Sequence, residues 1–205
     1  MQRIKNIIFD LGGIFIDIHF SKTEEAFAKL GIENFNLLYN QHHASDIFAK
    51  LETGAISPEA FYDTLRIETN KNSLTNKEIE SAWIAMLGDY FLPAIEWLDE
   101  IKNRYKIFLF SNTNAIHVPH LYKIFKAQTG KESFENFFIT TYYSHNLGLR
   151  KPHEDSFKAI LEKEKLTAAE TLFIDDTEKN IVGAKLAGLQ TIHLVHPKKV
   201  EELPL

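Results

Sequence analysis

The sequence contains no cysteine among its 205 residues. This absence excludes disulfide bonds, thiolate metal sites and cysteine nucleophiles together. A chain without cysteine suits a reducing compartment. We therefore expect a cytoplasmic location.

Long apolar runs are also missing. The first ten residues carry two basic side chains, but their apolar run is too short for a secretory signal. Elsewhere no run approaches the roughly 18 apolar residues of a membrane helix. We therefore expect a soluble protein without a membrane partner.

An excess of positive charge is the third absence. The chain has 23 Lys and Arg against 28 Asp and Glu, a net charge of −5. Nucleic-acid phosphates select clustered Lys and Arg, so we expect no nucleic-acid partner. The content of 44% hydrophobic and 12% aromatic residues is typical of a folded globular chain, and the length allows one sizeable domain or a core with a small inserted one.

Five short apolar runs predict strands that are covered on both faces, as in a parallel sheet. They are Ile7–Phe9, Ile107–Phe110, Phe137–Ile139, Leu172–Ile174 and Ile192–Val195. Stretches with apolar residues at helical spacing lie between most of them: Ile95–Ile101, Phe157–Leu161 and Ile181–Ala187. Gly188 follows the last stretch where a C-terminal cap is expected. The alternation predicts an α/β fold with a doubly wound parallel sheet.

The region between the first two predicted strands has a helical pattern instead. Ser21–Glu24 and Thr75–Glu78 both have the spacing of a capping box, and Ser57 precedes a proline at a first helical position. We predict a core formed by residues 1–18 and 89–205 and a helical cap formed by residues 19–88. Ligands of such sheets bind beyond the carboxyl ends of the strands, so a cap inserted there would cover the site like a lid.

Acidic residues follow two of the predicted strands. Asp10 ends the first, and Asp175 and Asp176 end another. Carboxylates that converge from strand ends form a hard oxygen site suited to Mg²⁺. The alternatives are a turn residue before Gly-Gly for Asp10 and helix capping for the Asp pair, but their joint position at strand ends favours the site.

Two further segments carry groups that bind phosphate. Ser111 and Asn112 follow the second main strand and precede a predicted helix start, where hydroxyl, amide and backbone N–H groups bind anions. Lys151 follows the third and would act as a point charge on phosphate. Taken alone, Ser111 is better explained as a helix cap and Lys151 as a solvated lysine.

These segments, in this order, resemble the four motifs of the haloacid dehalogenase superfamily. The motifs are Phe9–Gly13, Phe110–Thr113, Arg150–Pro152 and Phe173–Asp176. The helical insertion after the first motif is similar to the cap of one subclass. The residues of the motifs most resemble those of the α-D-glucose 1-phosphate phosphatases in this superfamily.

The resemblance implies a Mg²⁺-dependent phosphohydrolase that acts on a small phosphorylated metabolite, and its finer form implies a sugar 1-phosphate. Asp10 would be the nucleophile, form an aspartyl-phosphate and bind the metal. The Gly12 backbone would contribute a further metal ligand beside the phosphate, Asp176 would bind the metal directly, and Asp175 would lie nearby or bind through water. Ser111, Asn112 and Lys151 would hold the phosphoryl oxygens.

One position departs from the pattern. Most phosphatases of this superfamily carry a second aspartate where this chain has Gly12, and that aspartate serves as general acid and base. Three explanations stay open: a leaving group that needs little protonation, another group such as His19, or a protein that binds phosphorylated metabolites or a protein partner without turnover. A dehalogenase needs no acid there, but it would leave Asp175 and Asp176 without a purpose. For substrate contact in the cap, the candidates are Phe20, Tyr39, His43 and Phe48.

Overall fold

The computed structural model describes residues 3–205, so the first two residues of the predicted core segment lie outside the described residues. Its strands, in chain order, are β1 (Asn6–Phe9), β2 (Ile16–Ile18), β3 (Tyr39–Asn40), β4 (His43–Ala44), β5 (Leu87–Tyr90), β6 (Lys106–Ser111), β7 (Thr140–Tyr143), β8 (Thr171–Asp175) and β9 (Gln190–His193). Its α-helices are α1 (Phe20–Lys29), α2 (Asp46–Glu52), α3 (Pro58–Glu68), α4 (Asn76–Ile84), α5 (Leu92–Ile101), α6 (His117–Thr129), α7 (Ser144–Leu147), α8 (Glu154–Lys163) and α9 (Glu178–Leu186). Short 3₁₀ helices cover Phe35–Leu37, Phe134–Phe137, Ala168–Glu170 and Val200–Glu202.

Five strands form a parallel sheet in the order β7-β6-β1-β8-β9. Successive side chains of β1 point to opposite faces, so Ile7 and Phe9 enter one apolar cluster and Ile8 enters the other. Helices α5 and α6 cover the first face, and α8 and α9 cover the second. The predicted doubly wound α/β fold is confirmed.

The point at which the chain switches from one side of the sheet to the other lies between the parallel strands β1 and β8. Along the chain, β6 and β7 extend the sheet to one side of β1, while β8 and β9 extend it to the other. A crevice opens beyond the carboxyl ends of the strands at such a switch point. Asp10 follows β1 and Asp175 ends β8, so both lie at that crevice.

Helices α1 to α4 bury an apolar core of their own. Phe27, Phe48, Phe61 and Trp83 are each fully buried in it, and Ile116 is the one buried member from outside the 19–88 segment among the residues described. Strands β2 and β5 pair antiparallel where the chain leaves and re-enters the sheet-bearing part. We refer to helices α1–α4 and the β3–β4 hairpin as the cap.

Two helix starts in the cap follow their sequence signals. Thr75 and Glu78 form a complete capping box at α4, and Ser57 accepts a hydrogen bond from the backbone N–H of Ala60 at α3. The box predicted at Ser21 is wrong, because α1 already begins at Phe20. The residue that precedes the helix is His19, two positions before the predicted cap residue.

The third predicted strand is displaced. The sequence pattern predicts a strand over Phe137–Ile139. In the structure Phe137 ends a 3₁₀ turn that starts at Phe134, and strand β7 begins only at Thr140. Phe134, Phe137 and Phe138 are buried in the same cluster as β1. Their apolar character therefore reflects packing beneath the sheet rather than a strand.

Among residues 3–205, the helices are all too short or too polar to cross a lipid bilayer.

Candidate active site

Three carboxylates meet at the carboxyl end of the sheet. Asp10, Asp175 and Asp176 each offer one oxygen, and these oxygens all lie within 4.8 Å of one another. Asp10 is 8% exposed and Asp175 is fully buried. Such a group of hard oxygen ligands is suited to a divalent cation such as Mg²⁺.

The carboxylates repel one another, and burial and this repulsion both raise their pKa values. Burial raises the pKa of Asp10 well above its ordinary value; the Lys151 ammonium opposes this, and Asp175 and Asp176 add to it. Burial also raises the pKa of Asp176, with Asp175 as the next cause. A second positive charge at this place would therefore stabilise the ionised carboxylates.

Lys151 supplies the positive charge that the protein itself contributes. It is 1% exposed, and its Nζ lies 2.7 Å from Asp10 Oδ1 and 2.7 Å from Asp175 Oδ2. Burial acts against its charged form, but Asp10 and Asp175 outweigh burial and raise the pKa of Lys151. Asn112 clamps its backbone, since its amide donates to the Lys151 carbonyl and accepts from the Lys151 N–H, both at 2.9 Å.

The two adjacent aspartates differ in how free their oxygens are. Asp175 accepts four hydrogen bonds, from Lys151, from the Thr177 N–H and twice from the Asn180 amide. Asp176 accepts one from the Thr177 hydroxyl at 3.0 Å and a longer one from Gln41 at 3.3 Å. The oxygens of Asp176 are therefore less occupied by hydrogen bonds than those of Asp175, which are held by Lys151, Thr177 and Asn180.

Close packing explains why position 13, the second of the two glycines after Asp10, is a glycine. Gly13 has a φ of +69°, and a Cβ there would fall 2.3 Å from Asp176 Oδ2. Only glycine lets the backbone pass this close to the carboxylate at that φ. At Gly12 a Cβ would meet Ile18 Cγ1 at 3.1 Å.

The carboxylates lie in a cavity of about 330 Å³ between sheet and cap. The sheet side contributes Asp10, Gly12, Ser111, Asn112, Lys151 and Asp176, while the cap side contributes the β3–β4 hairpin. The sequence-predicted site residues are thus brought together, with Asp175 buried directly behind them.

The cap candidates separate into two groups. Phe20, Tyr39 and His43 line the cavity, whereas Phe48 is fully buried in the cap core. His19 does not line the cavity; its Nε2 lies 3.3 Å from Asp17, beside Gly88.

Sequence reasoning missed Glu52, a buried charged residue of the cap that contacts Arg150 outside the cap. Glu52 is 1% exposed, accepts a hydrogen bond from the Tyr39 hydroxyl at 2.7 Å and pairs with Arg150 at 2.8 Å. A single glutamate at the end of a helix carries no local signal that distinguishes it from a solvated one. The adjoining Arg150 was noticed only as a member of the third motif.

The chain belongs to the haloacid dehalogenase-like hydrolase family. The model of that family matches residues 4–188. This range contains strands β1, β6, β7 and β8 of the parallel sheet and ends just before β9. The family predicted from the four motifs is therefore confirmed, and the chain is a hydrolase of that family.

Relatives with known names or structures agree with this placement. D-ribitol-5-phosphate phosphatase of Bacteroides thetaiotaomicron is 30% identical over 188 residues, which cover 92% of this chain and 90% of the relative. A haloacid dehalogenase family enzyme of the same organism, crystallised with magnesium and inorganic phosphate and with one aspartate replaced by alanine, superimposes with a TM-score of 0.88 at 32% identity and 96% coverage of both chains. A predicted hydrolase of the family from Porphyromonas gingivalis has a TM-score of 0.86 at 28% identity, covering 96% of this chain and 94% of its own.

Proposed function

We propose that this protein is a Mg²⁺-dependent phosphatase that hydrolyses a small phosphomonoester through an aspartyl-phosphate on Asp10. The observation that carries the proposal is the buried Lys151, which joins Asp10 to Asp175 inside the carboxylate cluster. Its ammonium and a bound cation together would offset the charge of a phosphate that approaches the nucleophile. The phosphatase among the relatives supports the reaction class.

The residues present fit a magnesium ion. Asp10, the backbone carbonyl of Gly12 and Asp176 would hold it, and Asp175 would support the ion from behind or through water. When bound, the ion neutralises phosphate charge and lowers the repulsion between phosphate and carboxylate.

The protein groups have distinct tasks in the proposed reaction. A carboxylate oxygen of Asp10 forms a bond to phosphorus while the bond from phosphorus to the ester oxygen breaks. Ser111, Asn112 and Lys151 hold the phosphoryl oxygens in line. Water then attacks the phosphorus of the aspartyl-phosphate, which releases inorganic phosphate and restores Asp10.

The leaving oxygen must gain a proton, and Gly12 has no side chain to supply it. General acid–base catalysis contributes about 10²–10⁴-fold. A sugar 1-phosphate leaves as an anomeric hydroxyl that needs less help than the primary alcohol of an alditol phosphate. The motif resemblance favours the first substrate and the ribitol 5-phosphate relative favours the second.

The cavity favours a hydroxyl-rich substrate of either kind. Asn40, Gln41, His42 and His43 line its cap side opposite the carboxylates. Amide and imidazole groups donate and accept hydrogen bonds, so they suit a polyol rather than a long apolar chain.

The second candidate function is binding without turnover, and Gly12 is the observation that favours it. A protein of that kind would bind a phosphorylated metabolite saturably in the same cavity. The intact set of Asp10, Lys151 and Asp176 favours the enzyme.

Phosphate release from a panel headed by α-D-glucose 1-phosphate and D-ribitol 5-phosphate tests the proposal. We expect release that requires Mg²⁺, stops with EDTA and falls to background in Asp10→Asn. Asp89→Asn, which alters an exposed aspartate in β5, serves as the matched control and should keep wild-type turnover. Retained activity in Asp10→Asn would remove the covalent mechanism, while saturable binding without release from any substrate would establish the binding function instead.

A further inference from the structure

Glu52 is a charged side chain with almost no contact with solvent. It ends α2 in the cap and is 1% exposed. Two residues later, Gly54 has a φ of +67°, and a Cβ there would lie 2.2 Å from the backbone oxygen of His145 in α7. The backbone around Glu52 therefore packs directly on the part of the chain that leads to the third motif.

The partners of Glu52 come from both sides of the interface. Its Oε1 accepts from the Tyr39 hydroxyl in the β3 strand of the cap at 2.7 Å, and its Oε2 lies 2.8 Å from a terminal nitrogen of Arg150. Arg150 is 23% exposed in its side chain, so the ion pair is largely shielded from water. A buried charge is stable only with its partner in place, and separating this pair leaves each charge to find water.

Arg150 immediately precedes Lys151. The Lys151 backbone is held by Asn112, and its ammonium is held by Asp10 and Asp175. A continuous series of contacts thus runs from the cap hairpin through Glu52 and Arg150 to the lysine beside the nucleophile.

We propose that Glu52 is a positioning residue for the reaction: from the closed cap it holds Arg150, and through Arg150 it sets Lys151 against Asp10. The proposal rests on the phosphatase function proposed above and concerns the control of that same site. Cap closure and placement of the phosphate-binding lysine then become one event. An open cap would withdraw the glutamate, and the Arg150–Lys151 segment would lose the restraint that the cap provides, keeping only its contacts with Asn112, Asp10 and Asp175.

Another side-chain contact across the same interface provides a matched control. Glu80 in α4 lies 2.8 Å from His120 in α6, and its side chain is 39% exposed. It joins cap to core as Glu52 does, but it has no contact with the third motif. Glu80→Gln therefore removes a cap–core pair without touching the proposed path.

The kinetic test compares Glu52→Gln with Glu80→Gln on the best substrate of the panel. Glutamine keeps an oxygen for Tyr39 but loses the charge that holds Arg150. We expect Glu52→Gln to lower kcat/KM by about 10- to 100-fold, mainly through kcat, since small misplacements of catalytic groups cost that much. Glu80→Gln should stay within about twofold of wild type, as expected for a partly exposed pair.

A double-mutant cycle separates positioning from general damage. Arg150→Gln should cost much less activity in the Glu52→Gln background than in wild type, because the two residues act through one contact. Costs that simply multiply would overturn the proposal, as would wild-type kcat in Glu52→Gln.

Hydrogen exchange provides a readout that does not depend on turnover. With Mg²⁺ and inorganic phosphate, the amides of residues 39–44 and of Arg150 and Lys151 should gain protection in wild type and in Glu80→Gln but not in Glu52→Gln. If wild type released no phosphate from any ester but showed this pattern, the phosphatase proposal would fail and the positioning role would stand. Equal protection in wild type and Glu52→Gln, or none in either, would overturn the positioning role.

Discussion

At the scale of single residues, the site depends on how closely charged groups approach one another. Asp10, Asp175 and Lys151 are all at least nine-tenths buried, and the lysine contacts both carboxylates at 2.7 Å. Each charge is stable there because of the others. Their identity is visible in the sequence, but the hydrogen bonds that Asp175 accepts from Lys151, Thr177 and Asn180 are not.

Gly13 permits the approach of Asp176, and we predict that Gly13→Ala weakens Mg²⁺ binding by at least about tenfold. The new Cβ would overlap Asp176 Oδ2, and the positive φ would add roughly 1–2 kcal/mol of strain. Isothermal titration with Mg²⁺ measures the first effect and urea unfolding the second. Gly130→Ala is the control, since Gly130 has a φ of +68° and no atom within 4 Å of its Cβ position. It should lose similar stability and keep the affinity for Mg²⁺; an equal loss of affinity in both variants would contradict the steric explanation.

At the scale of elements, helix starts in the cap show where local signals decide and where they do not. The Thr75–Glu78 box forms completely, since the Thr75 hydroxyl accepts from the Glu78 N–H and the Glu78 carboxylate accepts from the Thr75 N–H. Ser21 lies inside α1, because β2 delivers the chain to a helix start at Phe20. Spacing alone does not separate the two cases.

Thr75→Ala should lower the free energy of unfolding by about 1 kcal/mol, the usual value of an N-terminal cap. The Thr75 hydroxyl accepts from the Glu78 N–H, and the Glu78 carboxylate accepts from the Thr75 N–H at 2.8 Å. Ser21→Ala should change stability by less than about 0.5 kcal/mol, because Ser21 is exposed and caps no helix. Urea denaturation of both variants makes the comparison, and equal losses would show that Ser21 does act as a cap.

At the scale of the whole molecule, cap and core meet along α6 as well as over the cavity. His117 stacks on Trp83 of the cap with ring centroids 4.6 Å apart, and its Nε2 lies 3.1 Å from the Trp83 carbonyl oxygen. Burial lowers the pKa of His117 to about 3; the bond to Trp83 opposes this, and the charge of His120 adds to it. Glu80 faces the same contact through its pair with His120.

We predict a loss of stability in mild acid that depends on His117. The folded protein resists protonating His117, while the unfolded chain accepts a proton near the ordinary pKa of 6.5, so stability falls as the pH drops below about 6.5 toward 3. Between pH 7 and 5.5 wild type should lose about 1 kcal/mol more than His117→Gln. Urea unfolding at both pH values measures this difference. His196→Gln, at an exposed histidine, should keep the wild-type pH dependence; identical slopes in wild type and His117→Gln would refute the assignment.

The sequence by itself determined the α/β fold, the family and the groups at the strand ends, because strand runs and motif order are local properties of the chain. It placed four of the five central strands within a few residues and misplaced the third, since buried aromatic residues have the same pattern whether they pack beneath a sheet or within it. Only the tertiary structure decided that Tyr39 lines the cavity and Phe48 does not. It also decided that Asp175 accepts a hydrogen bond from Lys151 and that Glu52 pairs with Arg150. Glu52 and Arg150 are 98 positions apart in the numbering, and no local pattern encodes a contact that exists only when two separately packed units meet.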